Sequence, residues 1–304
     1  RPAGPLALAR APAYTGRMCR LLAYKGRPLP VDDLLYRPDH SLVQQSHHAN
    51  EVSEPLNGDG FGLGWYEPDV TREPAVFASV TPAWNNRNLR YMAPKLVSPC
   101  ILAHVRAATE GQVSEFNCHP FHHQNLLMAH NGSVRPFARI KRALVDRLSD
   151  ERFLWLKGQT DSEHLFALFL DHYLARRERD AEAMADALQA MFDELAALKA
   201  AHGVTQASGL NMVVTDGRAL VAARHCDDLG VAPASLHHTE GSHYVCDAGG
   251  CRMAPAPHHE QAVLIASEPL TRESQHWRDV PARHFVLVDA HNRVSLRPIR
   301  MSGR

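Results

Sequence analysis

Residues 18–24, Met18-Cys19-Arg20-Leu21-Leu22-Ala23-Tyr24, begin the part of the chain that has the pattern of a folded protein. The run Cys19–Tyr24 is short and mostly apolar, which is typical of a buried strand. A methionine followed by a small residue is normally removed after translation, and removal would leave Cys19 at the amino terminus. A free α-amine has a pKa near ~7.7–8, so it can take the proton of its own thiol near neutral pH. Cys19 is therefore a candidate nucleophile; the alternative is a strand cysteine without chemical function.

Residues 1–17, RPAGPLALARAPAYTGR, differ in composition, with three Arg, three Pro and no acidic residue. An Arg-rich, acid-poor segment is typical of a transit-like extension, and a mis-assigned upstream start would have the same appearance. Both interpretations predict an extension over 1–17 and a single domain over 18–304. If the extension stayed attached, Cys19 would have no free amine.

The composition excludes several classes of protein. The chain has 304 residues, a mass of 33.8 kDa and 45% hydrophobic residues, which is ordinary for a protein that buries a core. Lys and Arg number 33 and Asp and Glu number 33, so no basic surface points to nucleic acid or to an anionic membrane. No apolar run approaches the ~18 residues that cross a bilayer. We therefore expect neither a nucleic-acid nor a membrane partner.

The cysteines predict a reduced, cytoplasmic protein without a metal. Six cysteines in 304 residues are too few for a disulfide framework, and the Cys-x-x-Cys spacing of a thiolate metal or redox site is absent. Cys246 and Cys251 flank the short loop Asp-Ala-Gly-Gly. We interpret them as two unremarkable thiols beside a turn rather than as metal ligands.

The pattern of apolar residues predicts an α+β fold with many strands and a few helices between them. Predicted strands are Cys19–Tyr24, Gly60–Tyr66, Ile101–Val105, Leu126–His130, Leu210–Thr215, Leu220–Arg224, Ala262–Ser267 and His284–Val288. Predicted helices are Ala138–Leu148, Asp161–Leu174 and Asp180–Ala201.

Three further positions have side chains suited to catalysis or binding, each with a structural alternative. Arg106 follows a predicted strand and can hold a carboxylate, or it can be a surface ion-pair partner. Asn131 and Gly132 can form a two-donor oxyanion hole, or they can be a simple Asn-Gly turn. Asp161 opens a predicted helix and can bind an ammonium group, although taken alone the N-cap role is favoured. The glycine-rich segment Asn57–Gly62 lacks the spacing of a phosphate-binding loop.

Taken together and in order, these segments resemble the class II glutamine amidotransferases, which are N-terminal-nucleophile hydrolases. The matching segments are Met18-Cys19, Asn57-Gly-Asp-Gly-Phe-Gly62, His104-x-Arg106-Ala-x-Thr109, Asn117-x-His119-Pro-Phe121, His130-Asn131-Gly132 and Thr160-Asp161-Ser-Glu163. The resemblance covers Met18 to about Pro298. It implies a four-layer αββα sandwich of two stacked sheets between helices, and no cofactor.

The resemblance also implies a role for each matching residue. Cys19 would attack the γ-carbonyl carbon of a glutamyl amide, with its own α-amine relaying the proton. Arg106, with Thr109, would bind the substrate α-carboxylate, and Asp161 would bind the α-ammonium group. The Asn131 side chain and the Gly132 N–H would stabilise the oxyanion. Gly58 would line the glutamate pocket. His119 lies in the matching His-Pro element and is grouped with the substrate-binding positions without an assigned contact.

Some segments resemble two narrower groups. The segments Thr81–Leu89, Ser114–Phe121, Phe166–Asp171 and Ala266–Thr271 look like the amidotransferase-type subunit of the DUG glutathione-degradation complex. The Met-Cys-Arg start and the later Ala-Ser-Glu-Pro are similar to the γ-glutamyl hydrolase of ergothioneine biosynthesis. The first resemblance implies a peptidase partner subunit.

Two departures from the family pattern favour a hydrolase over an ammonia-transferring synthase. Ala107 follows Arg106 where such synthases usually carry Trp, and residues 19–304 accommodate no synthase domain. We therefore expect hydrolysis of a γ-glutamyl amide or peptide bond, in glutathione or another γ-glutamyl compound. The alternatives are a glutaminase subunit that supplies ammonia to a separate synthase, and a non-catalytic partner subunit.

Overall fold

The structure is a computed structural model that describes residues 18–51, 56–107, 112–255, 261–271 and 276–301. The predicted extension over 1–17 and the predicted substrate contact Thr109 lie outside these residues. The single domain over 18–304 stays a prediction.

The secondary structure follows the predicted order of elements. The strands are β1 (Arg20–Pro30), β2 (Phe61–Trp65), β3 (Ala75–Ser79), β4 (Val97–Val105), β5 (Phe121–His123), β6 (Leu126–Ser133), β7 (Gly209–Thr215), β8 (Leu220–Arg224), β9 (His237–Gly241), β10 (His243–Asp247), β11 (Gly250–Ala254), β12 (Ala262–Ala266), β13 (Arg278–Asp279), β14 (His284–Val288) and β15 (Val294–Pro298). The helices are α1 (Asp32–Leu35), α2 (Leu42–Gln45), α3 (Arg87–Met92), α4 (Phe137–Val145), α5 (Asp150–Trp155), α6 (Asp161–Leu174) and α7 (Ala181–Ala201). Each predicted strand and helix is present, but β1 continues to Pro30 rather than ending at Tyr24, and β4 begins at Val97 rather than at Ile101.

Two large sheets carry most of the strands. A seven-stranded sheet has the order β13-β9-β12-β1-β4-β2-β3, and a six-stranded sheet has the order β15-β14-β8-β7-β6-β5. Central strands such as β7 and β12 are buried along their length, as a sheet covered on both faces requires, and successive side chains enter different cores. In β1, Leu21 and Ala23 join a core with Leu127 and Ala129 of the other sheet, whereas Leu22 faces away from it.

Helices cover the outer face of each sheet. Leu22 packs with Leu34, Leu42 and Leu89 of the short helices α1 to α3. On the other side, α4, α6 and α7 pack on the six-stranded sheet through one core, with Ile140, Phe166, Met184, Leu188 and Met191 among its buried side chains. The predicted αββα sandwich is thereby confirmed, as is the predicted apolar face of the longest helix.

The register of the sheets brings distant segments to one edge. Arg20 of β1 lies opposite Val105 of β4, and Leu22 lies opposite Ala266 of β12. Phe61 of β2 also lies opposite Val105. The residues just before β1, just after β4 and just after β12 therefore meet where these strands end.

The prediction of two free thiols at positions 246 and 251 is wrong. Cys246 and Cys251 lie directly opposite each other in the β10–β11 hairpin, with 4.0 Å between their Cα atoms, and they form a disulfide. Cross-strand partners carry their side chains on the same face of the ladder, which places the two sulfur atoms together. Within the described residues, Cys19, Cys100, Cys118 and Cys226 are free.

None of the helices formed by the described residues combines the length and the apolar character that a membrane span requires.

Candidate active site

Cys19 lies directly before β1 and is nearly buried, with 8% of its surface exposed. Its Sγ accepts a hydrogen bond from the backbone N–H of Ala107 at 3.3 Å. Burial raises the pKa of the thiol, while the Ala107 hydrogen bond and the charges of Arg106 and Arg20 oppose that rise. The resting side chain is therefore a thiol, and attack on a carbonyl requires a base.

Arg106, the residue before Ala107, is buried and its backbone is fixed to the glycine-rich segment. Its N–H donates to the carbonyl of Gly60 at 2.8 Å, and its carbonyl accepts from the N–H of Asp59 at 3.1 Å. A Cβ on Gly60, where φ is +114°, would lie 2.8 Å from the Ser79 carbonyl. Glycine at position 60 is thus required for the contact that places Arg106 beside Cys19.

Gly58 occupies the same segment and faces an aromatic side chain. A Cβ at position 58 would lie 3.1 Å from the ring of Trp84. The Trp84 ring in turn lies 4.8 Å from the ring of His47, measured between centroids. Gly58 therefore leaves a narrow space between the backbone near Arg106 and this aromatic pair.

Asn131 and Gly132 lie inside β6 and do not form a turn. They pair with Asn211 and Leu210 of β7. The Asn131 side chain is buried, and its Nδ2 donates to Ser267 Oγ at 3.3 Å. A Cβ on Gly132 would lie 2.0 Å from the carbonyl of Gly209, so only glycine fits there. The turn alternative for the Asn-Gly pair is excluded.

Asp161 is not the N-cap of α6, contrary to the role favoured for it when taken alone. Thr160 is the cap, since its hydroxyl accepts from the Glu163 N–H at 3.2 Å. The Asp161 carboxylate instead accepts from the N–H of Val134 at 2.7 Å and from the N–H of Ser162 at 2.8 Å. This holds a buried negative charge just beyond the end of β6, close enough to Cys19 to raise its pKa.

His130 is a site residue that the sequence analysis missed. One ring nitrogen, Nε2, lies 2.9 Å from the carbonyl of Gly209, and the other, Nδ1, lies 2.9 Å from Ser162 Oγ. A carbonyl only accepts, so Nε2 donates to Gly209, while Nδ1 lies within hydrogen-bond distance of a serine hydroxyl that is also 3.2 Å from Asp161 Oδ1. The imidazole thus links β6 to the strand that confines Gly132 and to the first turn of α6. In the sequence, the position of His130 directly before the predicted oxyanion residue Asn131 was the signal that could have identified it.

His119 is buried among other rings. Its ring packs against His104 and Phe121, with centroids 4.2 and 4.7 Å away. Burial holds the pKa of His119 well below its ordinary value, with the positive charge of Arg106 acting in the same direction. The His119 carbonyl lies 2.0 Å from where a Cβ of Gly62 would stand, which explains the glycine in β2. A substrate-binding role for His119 stays a prediction.

A second group of polar residues that the sequence analysis assigned no role surrounds the start of β1. Arg20 and Glu268 form an ion pair, with 3.0 Å between Nε and Oε1, and both side chains are almost fully buried. Ser267 lies beside them at the end of β12. Both Ser267 and Glu268 belong to the Ala-Ser-Glu-Pro segment, whose resemblance to the relatives was the sequence signal for these two residues.

The fold and the site define a class of protein, an αββα sandwich with a cysteine directly before its central strand. The chain belongs to the class II glutamine amidotransferases, since the family model described as "Glutamine amidotransferases class-II" matches residues 39–298.

Two curated relatives are similar over most of their length. The chain is 36% identical over 302 residues to "Probable glutamine amidotransferase DUG3" of Saccharomyces cerevisiae, covering 93% of this chain and 84% of that protein. It is 30% identical over 278 residues to "Gamma-glutamyl-hercynylcysteine sulfoxide hydrolase" of Mycolicibacterium smegmatis, covering 90% of this chain and 97% of that protein. The predicted family resemblance is confirmed by both.

Solved structures share the fold. A glutamine aminotransferase class-II domain protein of Silicibacter pomeroyi superposes with a TM-score of 0.66 at 24% identity, covering 94% of this chain and 100% of that one. The glutamine phosphoribosylpyrophosphate amidotransferase of Bacillus subtilis superposes with a TM-score of 0.58 at 15% identity, covering 93% of this chain and 50% of that one.

Proposed function

We propose that this protein hydrolyses a γ-glutamyl amide or peptide bond, in glutathione or another γ-glutamyl compound, and releases glutamate. The nucleophile is Cys19, exposed as the amino-terminal residue after everything before it is removed. The observation that carries the proposal is the meeting of Cys19 with Arg106 at one edge of the sandwich, where the charges of Arg106 and Asp161 both act on the thiol. Membership of the amidotransferase family supports the reaction type.

The proposed reaction proceeds in two halves. The α-amine of Cys19 takes the thiol proton, and Sγ forms a bond to the γ-carbonyl carbon. The Asn131 amide and the Gly132 N–H stabilise the negative charge on the carbonyl oxygen. Collapse of this intermediate breaks the C–N bond, and the protonated α-amine gives its proton to the departing amine. Water, deprotonated by the same α-amine, then hydrolyses the thioester and frees glutamate and Cys19.

The glutamyl end of the substrate carries a negative α-carboxylate and a positive α-ammonium group. The site holds a buried arginine, Arg106, and a buried aspartate, Asp161, whose charges are opposite to these. Arg106 binds the α-carboxylate in a bidentate manner, and Asp161 binds the α-ammonium group. Discrimination follows from this pair, because a substrate that lacks either charge loses one of the two contacts. Thr109, outside the described residues, is the second carboxylate donor that the family resemblance implies. No cofactor takes part.

The leaving group distinguishes the candidate substrates. The names of the relatives point to glutamine and to a γ-glutamyl sulfoxide as substrates of those proteins. Gly58 and Trp84 form the wall next to Arg106. We propose a small-molecule γ-glutamyl substrate whose glutamyl portion lies along this wall, in a protein that works in the cytoplasm with or without a peptidase or synthase partner subunit.

The test is glutamate release from glutathione and from glutamine by the chain expressed from Met18. Cys19→Ala is expected to lower release by at least about 10³-fold, because the bond-forming atom is lost. Cys100→Ala is the matched control, since it removes another buried thiol of the same sheet, and it is expected to retain release. Full release by Cys19→Ala would refute the proposal. Release that needs an added partner would instead support the subunit alternatives.

A further inference from the structure

Ser267 clamps the strand that begins directly after Cys19. Its backbone N–H donates to the carbonyl of Leu21 at 3.0 Å, and its Oγ accepts from the N–H of Leu21 at 3.0 Å. Leu21 is two residues from the nucleophile. The serine is fully buried, so these bonds hold the start of β1 without competition from water.

The same hydroxyl reaches the opposite sheet. Ser267 Oγ also accepts from Nδ2 of Asn131 at 3.3 Å. A hydroxyl oxygen can accept two hydrogen bonds. Here one comes from the Leu21 N–H of β1, and the other comes from the side-chain amide of Asn131, the proposed oxyanion donor. A single atom therefore fixes the distance between the two groups that must approach the substrate carbonyl from different sheets.

Glu268 contacts Arg20, the residue that directly follows the nucleophile. It forms the buried ion pair with Arg20, and Arg20 Nη1 donates to the Cys19 carbonyl at 2.8 Å. The Glu268 carboxylate is itself held by His40 Nε2 at 2.7 Å and by the N–H groups of Asn50 and Glu51 at 2.8 and 3.0 Å. The bond to the Cys19 carbonyl holds the plane of the Cys19–Arg20 peptide, from which the amine and the thiol of Cys19 extend.

This arrangement is costly if stability is its only purpose. Burying an arginine and a glutamate carries a desolvation penalty that the attraction between them often fails to repay, and apolar side chains of equal volume are frequently as stable. A geometric demand accounts for the pair better, because catalytic groups lose large factors in rate when displaced by about 1 Å.

We propose that Ser267 and Glu268, with Arg20 as the link, are positioning residues that hold Cys19 and Asn131 in the geometry of attack. The inference rests on the proposed function, in which these two residues act on the γ-carbonyl group. Ser267 and Glu268 touch no reacting atom; they act through Leu21, Arg20 and Asn131.

The experiment compares Glu268→Gln and Ser267→Ala with wild type and with Asp171→Asn. Asp171 is a matched control, because its carboxylate accepts from the Ser149 N–H at 2.8 Å and pairs with the buried Arg152 at 3.7 Å, ten residues along α6 from the site. Each protein is assayed for kcat and KM of glutamate release, and for thermal unfolding. Ser267→Ala removes only one oxygen and guards against a failure of Glu268→Gln to fold.

We expect both site variants to lower kcat by about 10–100-fold while KM changes by less than about threefold, since orientation and not substrate binding is lost. Asp171→Asn should lose thermal stability and keep kcat. Equal kcat in wild type and both site variants would overturn the inference, as would a loss of kcat in Asp171→Asn that matches theirs.

A second readout keeps the inference separate from the proposed function. The rate at which iodoacetamide alkylates Cys19 is followed by mass spectrometry across pH 6 to 9 in the same proteins. A shifted pH profile in the site variants, and an unshifted one in Asp171→Asn, supports positioning even if wild type releases no glutamate. A wild type without glutamate release refutes the proposed function alone, whereas superimposed alkylation profiles refute the positioning role alone.

Discussion

The β1–β4 ladder has one buried cysteine beside its end and another in its interior, and the proposed account makes only the first a nucleophile. Cys19 lies beside the Arg20–Val105 end, and Cys100 lies opposite Lys25, inside the ladder that continues to Pro30 and Val97. Burial raises the pKa of both thiols, to about 11 for Cys100. Burial and a raised pKa therefore do not distinguish the two.

What distinguishes them is the set of groups that surrounds each sulfur. Cys100 Sγ meets the Thr215 hydroxyl at 3.5 Å inside a strand. Cys19 Sγ receives a backbone N–H from Ala107, with the charges of Arg106 and Asp161 acting on it. The β1–β4 ladder stops beside Cys19, whereas Cys100 lies inside β4 with paired residues on both sides of it. The comparison teaches that strand ends, where the ladder hydrogen bonds stop, leave donors available for a substrate.

Among substitutions around the two thiols, the largest effect is expected from removing the oxyanion donor near Cys19. Asn131→Ala should lower kcat by about 10²–10³-fold, because one of two donors to the developing charge is lost. Thr215→Val removes a buried hydroxyl that meets the sulfur of Cys100, and should keep kcat while costing about 1 kcal/mol of stability. Steady-state kinetics and urea unfolding measure both. A similar loss of kcat in the two variants would erase the distinction between the two cysteines.

Arg106→Lys tests the charge pair for the glutamyl end. Lysine keeps the positive charge but cannot form the bidentate contact, so we expect KM for the γ-glutamyl substrate to rise by about 10–100-fold. The control is a substrate analogue without the α-carboxylate, which wild type and variant should turn over equally slowly. An unchanged KM for the complete substrate would remove Arg106 from the binding site.

The chemical reactivity of the two thiols sharpens the comparison without any assay of activity. Both are protonated near neutral pH, since both pKa values are raised, so alkylation of each should accelerate as pH increases. Peptide mapping after limited iodoacetamide treatment should find Cys19 modified at least about tenfold faster than Cys100, because part of the Cys19 surface is exposed whereas Cys100 is fully buried. Faster labelling of Cys100 would contradict the account.

The smallest effect is a difference in acid stability. Burial opposes ionisation of Glu268, but the His40 hydrogen bond, the Arg20 charge and the backbone donors lower its pKa from 4.5 to about 2. A carboxyl with a lowered pKa in the folded state stabilises the protein above pH ~4.5, and that contribution is lost as pH falls toward about 2. Urea unfolding of wild type should therefore show a steeper loss of stability from pH 5 to pH 2 than Glu268→Gln. Parallel curves would contradict this assignment.

The sequence predicted the layers of the fold well, because each depends on local periodicity. The runs around Leu21 and Leu127 are short and continuously apolar, as strands buried on both faces are, and the Met184–Leu198 face repeats with the period of a helix. These patterns are dictated by burial on one or two faces and need no knowledge of the partner element.

The errors arise where a contact depends on register or on residues far apart in the chain. Whether Cys246 meets Cys251 is set by the hairpin register, which the short loop alone does not specify. Thr160 rather than Asp161 caps α6, because the extended backbone of Thr160 decides which side chain reaches the free N–H groups. Ser267 is 246 residues from Leu21, so its hydrogen bond has no local signature.

The central claim is that the α-amine of Cys19 is the base, and one comparison tests it most directly. A chain released by a site-specific protease to begin at Cys19 is assayed beside the same chain with one glycine left before Cys19, with the mass of each confirmed. The account predicts that the added glycine lowers Cys19-dependent glutamate release by about 10²–10⁴-fold, because the amine becomes an amide that cannot take the thiol proton. Equal release from the two chains would contradict it.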